Sequence, residues 1–409
     1  MMNILIINTG SSSIKYKLFA MDSPGSGTAM AEGMIDRIGE KNSIITHNAG
    51  SENRTCINKT IKDYTGGIHE IVRAVTDHNC GVIKDISQID AVGHRVVHGG
   101  EQFSSPVLIN DRVKASIKKN ISLAPLHNPS NLAGIEASEK IFHNRPNIAV
   151  FDTDFHISIP AKAYLYAIPY RYYTEFQIRK YGFHGTSHRY AAQKACFLMN
   201  RDINQTNLIT LHLGSGCSAC AIEKGRCIDT SMGMTPLAGL MMGTRCGDID
   251  PGIIGYLMEK THMSIKDMED MLNRQSGLKG ISGFSDMRDI HEQAGKGNKN
   301  AALALEMFTY EIKKIIGSYT AVLDRVDAVV FTGGIGENDH ISRSMICHGL
   351  SGLGIIMDEH RNLRQSSEPF PVHSAQSRVQ LWVIQADEEM QIAQAAFIIM
   401  DRQGQVSAV

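Results

Sequence analysis

The sequence predicts an α/β protein of two related, layered domains, and three observations carry that prediction. Segments patterned like strands alternate with segments of helical periodicity along the whole chain. A strand, a glycine/serine turn and a second strand occur together twice, at residues 3–19 and again at 207–225. A third glycine turn, Gly333–Gly334–Ile335–Gly336, follows the apolar run DAVVF. One such turn is weak evidence, but three in this order point to a duplicated domain gripping a nucleotide between its halves, because turns rich in free backbone N–H groups receive phosphate oxygens.

The elements follow in order. NILIIN and YKLFAM open the chain as strands, and QIDAVGHRVVHGG contains another. NPSNLAGIEASEKIF reads as a helix with Asn128 or Ser130 near its cap, and NIAVFDTDFH as a strand. THMSIKDMEDMLNRQSG and NAALALEMFTYEIKKIIGSYTAVL have helical spacing of apolar residues. RVQLWVIQADEEMQIAQAAFIIM gives a strand, a turn and a closing helix. No low-complexity linker separates the halves, so two domains packed along a cleft are expected: 1–150 plus about 384–409, and 151–383.

Composition excludes several classes. With 409 residues, 43% hydrophobic and 20% charged, the chain can bury large cores. A formal charge of −1 and no Lys/Arg block leave no footprint for nucleic acid. No apolar run reaches the roughly 20 residues that span a bilayer, and the N-terminal stretch is too short for a secretory signal. Eight scattered cysteines are no disulfide framework. A cytoplasmic protein with reduced thiols is the expectation. Cys217 and Cys220 form a C-x-x-C, but residues three apart on a strand point to opposite faces and no second pair completes a zinc site. They read as small buried residues.

The first turn, Gly10–Ser11–Ser12–Ser13, is not a P-loop, since Lys15 leads into a strand instead of a helix. It is a hairpin turn presenting hydroxyls and backbone N–H groups.

NTGSSSIKYKL, GHRVVHGG, LAPLHNP, FDTDFH, YGFHGTSH, HLGSG, DTSMGMTPLAGLMMGTRCGDIDP, FTGGIGEN and ADEEMQIA, taken together, resemble the acetate kinase family in sequence and order from residue 3 to about residue 393. The resemblance implies two related domains of the duplicated ribonuclease H-like, actin-like ATPase fold. It also implies a homodimer, and Mg²⁺-dependent phosphoryl transfer between ATP and acetate giving ADP and acetyl phosphate, with Mn²⁺ able to substitute.

The chemistry suits the residues. Acetate is already a carboxylate near neutral pH, so the nucleophile needs no base; the task is positioning and positive charge. Arg95 interrupts an apolar strand and Arg245 lies in a loop before a helix begun at Asp250–Pro251. Arginine suits bidentate recognition of carboxylate or phosphate. By resemblance, His184 bonds the transferring phosphoryl group and His127 an adjacent oxygen, while His188 is a satisfied core side chain. Asn8 and Glu388 are implied as metal residues, with Asp152 orienting metal-bound water or the acceptor; Glu389 reads as a salt-bridge or capping residue. Ser11, Ser13 and Lys15 fall near phosphate, as do His212, Gly214, Ser215 and Gly216. Gly334, Ile335, Gly336 and Asn338 belong to the adenosine side, with Asp286 and Arg288 near adenine and ribose, in a segment one residue shorter than usual. Val97, Leu126, Phe183 and Pro236 match the small apolar acyl pocket. One methylene there is worth only about 1–3 kcal/mol, so acetate is preferred over propionate without exclusion.

Three departures stand out. Asp154 replaces a small residue, Ser215 an asparagine and Ala386 a threonine. If the strand continues, Asp152 and Asp154 share a face and Asp154 alters metal or pH dependence; if the chain bends after Thr153, Asp154 bonds locally. Three other functions compete: a propionate or short-chain fatty acid kinase, a sugar kinase or chaperone-like ATPase, and a non-catalytic nucleotide-binding paralogue.

Overall fold

The apolar run Ile4–Ile7 alternates between two cores instead of between core and solvent. In the computed structural model, which describes residues 1–50 and 54–407, Ile4 and Ile6 pack with Phe19, Ile148 and Ile392 on one face of a sheet. Leu5 and Ile7 pack with Leu18, Ile35, Ile68 and Phe142 on the other. A strand covered on both faces has no position for a polar side chain, which is why the run is unbroken.

The chain divides into two compact units, Met1–Ile157 with Asp387–Val409, and Ser158–Ala386. The expected divisions at 150/151 and 383/384 fall within and at the end of strands, and the observed ones lie in the segments that leave those strands.

The first unit holds β1 (Met2–Thr9), β2 (Ile14–Ser23), β3 (Ser26–Asp36), β4 (Ser43–Asn48), β5 (Arg54–Lys59), β6 (Ala91–Val96), β7 (Val107–Leu108) and β8 (Asn147–Phe151), in the order β5-β4-β3-β2-β1-β6-β8-β7. The second holds β9 (Asn207–Leu213), β10 (Cys217–Glu223), β11 (Arg226–Thr230), β12 (Ala328–Thr332), β13 (Phe370–Pro371) and β14 (Gln380–Val383), in the order β11-β10-β9-β12-β14-β13. From β3 to β7 the first sheet repeats the second strand for strand. In each, an antiparallel meander is followed by two parallel strands and an antiparallel edge. The two hairpin turns therefore occupy the same place in the two sheets.

Helices cover the sheets. Tyr64–Val75 and Asn128–Ile141 lie over one face of the first sheet and Glu388–Ser407 over the other. In the second unit the long helix Lys299–Leu323 buries Ala304, Phe308, Ile312, Ile316 and Tyr319, and starts at Asn298, whose side chain accepts from the N–H groups of Asn300 and Ala301.

One expectation is met and one corrected. Asn128 and Ser130 lie near the cap of the helix Asn128–Ile141, as expected, but the N-cap itself is His127, without a side-chain cap hydrogen bond. Asn128 is instead drawn inward: its amide accepts from His98 N–H and donates to the carbonyls of His98 and Ile117. Ser130 donates back to the His127 carbonyl. The third glycine segment is also no free turn, because Gly333–Asn338 is itself a short helix running straight off β12.

That junction depends on Gly333, which has φ of +77° and would place a Cβ 2.7 Å from the Leu213 carbonyl oxygen. Gly333→Ala should cost about 2 kcal/mol or more, read as a lowered urea midpoint at unchanged slope; an unshifted midpoint would show that the junction relaxes freely.

Candidate active site

In the first unit the candidate residues gather where β1, β6 and β8 end. Asn8 stands near the end of β1, opposite Lys15 on β2, and the turn between them closes with Gly10 N–H donating to the Ser13 carbonyl at 2.8 Å. Ser11 is exposed and Ser13 half-buried, while the Tyr64 hydroxyl donates to the carbonyls of Gly10 and Ser11. Arg95 on β6 reaches Asp152, just past β8, with Nη2 3.1 Å from Oδ2, and Glu388 at the start of the last helix, with Nε 3.4 Å from Oε2. Arg95 Nε is buried and makes no hydrogen bond among the described residues, so that edge meets Glu388 as an ion pair without good donor geometry.

Electrostatics follow from this packing. Burial works against the Arg95 charge, but Asp152, Glu388 and Glu389 outweigh it and hold the guanidinium above its ordinary pKa. Burial pushes the Glu388 carboxyl above the usual carboxylate range; Arg95 and Lys15 pull it down, while Asp152 adds to the rise. Glu389 is also raised by burial and does not cap: Asp387 does, accepting from Met390 N–H. Val97 is buried, its N–H donated to Asn131, and Leu126 is 65% exposed. His127 is half-buried at the helix N-terminus. The chain bends after Phe151, and Asp154 opens a short 3₁₀ turn, so Asp152 and Asp154 do not continue one strand face.

In the second unit the turn between β9 and β10 is the centre. Gly214 N–H donates to the Gly216 carbonyl at 3.1 Å. A Cβ on Gly216 would lie 3.3 Å from His184 Nε2 and 3.5 Å from Arg245 Nη1, and one on Gly214 3.8 Å from Gly334 N and 4.0 Å from His212 Nε2. Two imidazole edges, a guanidinium and the start of the Gly333–Asn338 helix thus surround a turn that lacks side chains at those two points. The His184 and His212 rings are 4.2 Å apart. Arg245 donates to the Pro236 carbonyl at 3.1 Å and forms no ion pair among the described residues. Burial holds its guanidinium below the ordinary value. Phe183, beside His184, is buried, and Pro236 is half-buried.

Next to this turn lies a cavity of about 690 Å³ lined by Gly214, Ser215, Asp286, Arg288, Gly334, Ile335 and Asn338. Gly336 lies in the same short helix but is buried, so it packs instead of lining. Asp286 caps the helix Met287–Gly295, and its hydrogen bond from Arg288 holds its carboxyl down at about 2. His291 and Asp339, which sequence reasoning missed, complete the wall with a 2.7 Å contact. Their separation in the chain left no signal. At Ala386, where a hydroxyl was expected, the backbone N–H donates to Glu337.

Residues 3–394 match the model of the acetokinase family. The acetate kinase of Nitratidesulfovibrio vulgaris is 49% identical over 403 residues, 98% of this chain and 100% of the relative. That of Clostridium kluyveri is 49% identical over 394 residues, 96% of each chain. Among solved structures, Porphyromonas gingivalis acetate kinase superposes with a TM-score of 0.94 at 40% identity, covering 98% of this chain and 100% of that one. A propionate kinase from Francisella tularensis gives 0.88 at 41%, covering 97% and 99%.

The C-x-x-C cysteines have separate partners: the Cys217 thiol donates to the Gly214 carbonyl, and Cys220 contacts Cys227 at 3.3 Å. Burial pushes Cys217 up to about 12. At pH 8 a thiol reagent should label exposed Cys56 in the native protein, and Cys217 and Cys220 only after denaturation. Rapid native labelling of either would overturn their reading as core residues.

Proposed function

Because this chain belongs to the acetokinase family, we propose that it transfers a phosphoryl group reversibly between ATP and acetate, giving ADP and acetyl phosphate. The observation that carries this reading is Arg245. It is a half-buried cation with no carboxylate partner among the described residues, set beside His184 Nε2 against a glycine turn. Such a charge is costly unless an anion meets it, and a transferring phosphoryl group with charge spread over three oxygens is the anion for which this donor set is built.

The residues divide the work. The cavity beside Gly214–Gly216 takes the nucleotide, with its phosphates on the backbone of that turn and the N-terminus of Gly333–Asn338, and Asp286 and Arg288 beside adenine and ribose. In the second unit Arg245 and His184 hold the transferring group, with His212 alongside; in the first, Ser11, Ser13, Lys15 and His127 are the residues for phosphate oxygens. Arg95 orients the acetate carboxylate; the apolar residues for its methyl group are Val97, buried, and Leu126 in the first unit, and Phe183, buried, and Pro236 in the second. No base is needed, since the nucleophile arrives ionised.

Asn8, Asp152 and Glu388 offer oxygen ligands, and burial, with Asp152 adding to it, keeps the Glu388 carboxyl raised despite Arg95 and Lys15. That set fits a hard divalent cation such as Mg²⁺ or Mn²⁺. When bound, the cation neutralises phosphate charge as it develops.

The same reading places the enzyme in the cytoplasm as a homodimer, its two contact-defined units acting as the two domains. No helix among the described residues is long and apolar enough to cross a membrane. The helix Gly252–Thr261 has no buried residue and exposes Ile253, Ile254 and Tyr256, a face suited to a second copy.

Acyl phosphate formation from MgATP, trapped with hydroxylamine, tests the activity with acetate, propionate and butyrate in parallel. Product with acetate leading is expected. Product led by a longer acid would keep the mechanism and reassign the pocket around Val97. ATP binding without product from any acid would make the protein a non-catalytic paralogue. Arg245→Leu should bind MgATP yet lose roughly 10³-fold in kcat; a fully active variant would remove the central residue of this reading.

A further inference from the structure

Arg245 sits in a closed loop, and two carboxylates hold the loop's entry. The chain leaves at Gly239 and returns at Asp248, where the two residues exchange hydrogen bonds. Asp248 N–H donates to the Gly239 carbonyl, and Gly239 N–H donates to Asp248 Oδ1, each at 2.8 Å. This neck has no room for another side chain: a Cβ on Gly247, at φ of +72°, would lie 2.5 Å from the Gly239 carbonyl oxygen. Two residues past Gly239, the N–H of buried Met241 donates at 2.7 Å to Glu311 Oε2, which reaches out from the long helix Lys299–Leu323. Among the described residues neither Asp248 nor Glu311 forms an ion pair, with Arg245 or with any other cation.

The far side of the loop is pinned by backbone. Leu278 and Lys279 N–H donate to the carbonyls of Met242 and Gly243, and Cys246 N–H donates to the Leu272 carbonyl. Gly243 N–H donates to the Ser215 carbonyl at 3.3 Å, which ties the loop to the turn between β9 and β10. Side chains therefore enter the loop's frame at its entry, through Asp248 and Glu311.

We propose that Asp248 and Glu311 are positioning residues for Arg245: by accepting the Gly239 and Met241 N–H groups they hold its loop in register with the Gly214–Gly216 turn. The inference rests on the reading of Arg245 given above. A carboxylate oxygen on a backbone N–H makes a short, strong hydrogen bond, and a buried N–H such as that of Met241 cannot be left without an acceptor at no cost. With either acceptor gone, the entry of the loop shifts, and the guanidinium shifts with it. A misplacement of about 1 Å in a group that meets the reacting atoms costs on the order of 10²-fold in rate. The role needs an acceptor oxygen and not a charge, so an amide can fill it.

The test uses the full-length enzyme and the trapped acyl phosphate assay, with amide hydrogen exchange across residues 239–248 as a readout independent of turnover. Asp248→Ala should lower kcat roughly 10- to 100-fold while KM for ATP stays within about threefold. It should also speed exchange of the Gly239 and Met241 amides. Asp248 is exposed, so the variant should fold. Asp248→Asn, which keeps an oxygen for the Gly239 N–H, should bring both readouts back to near wild type. Glu311→Leu and Glu311→Gln should repeat the pattern at Met241. In an Arg245→Leu background, Asp248→Ala should cost less than about twofold more, because a residue acting through Arg245 then has nothing left to place. Unchanged kcat or exchange in Asp248→Ala, a loss that Asp248→Asn fails to repair, or an equal loss with and without Arg245 would each overturn the proposal. Failure of the underlying reading is distinct: it shows as full activity in Arg245→Leu, or as no acyl phosphate from wild type.

Discussion

Arg95 is the residue on which the first unit's site depends. Its guanidinium sits at the end of β6 and touches the carboxylate that follows β8 and the one that begins the last helix. A buried charge is tolerated only when paired, so folding of these three remote segments and placement of the Arg95 guanidinium are one event. Loss of any member leaves the others with uncompensated charge. Arg245 in the second unit is the opposite case: carbonyl oxygen and a thioether surround it in place of a carboxylate. One arginine is paired with carboxylates; the other makes its contacts to the Pro236 carbonyl and the Met242 sulfur.

The duplicated sheet gives both units the same instrument and different tips. At the equivalent turn, the first unit offers serine hydroxyls and a lysine, and the second offers glycines crowded by imidazole and guanidinium groups. Small residues there allow ring edges to approach to within van der Waals distance of the backbone. Backbone amides, unlike side chains, lose no rotamer freedom when they bind.

Much of this was legible in the chain. The unbroken apolar run of β1, the paired strand–turn–strand units and the glycines following β12 are local patterns, and local patterns follow from periodicity and turn chemistry. Arg95 was legible because a cation in an apolar strand needs a reason. The misreadings share one cause, which is that side chains serve partners distant in sequence. Asn128 has the composition of a cap but bonds across to His98 and Ile117. Glu389 yields the capping position to Asp387. His188 looked like a satisfied core histidine, and it is one, but what satisfies it is a serine on β10 shared with His184. No spacing rule within a helix announces a partner that arrives on a strand.

The last helix carries a further consequence for how the chain is made. Glu388–Ser407 returns to the first unit and covers Ile4, Ile6, Phe19, Ala91, Ile148 and Val150. During synthesis all of those strands leave the ribosome first, and the whole second unit, Ser158–Ala386, follows before their cover appears. At about 5–20 residues per second this leaves an apolar sheet face open for on the order of tens of seconds. In that interval the nascent chain carries an uncovered apolar sheet face, so the order of synthesis, as much as the native contacts, sets how long that face is open.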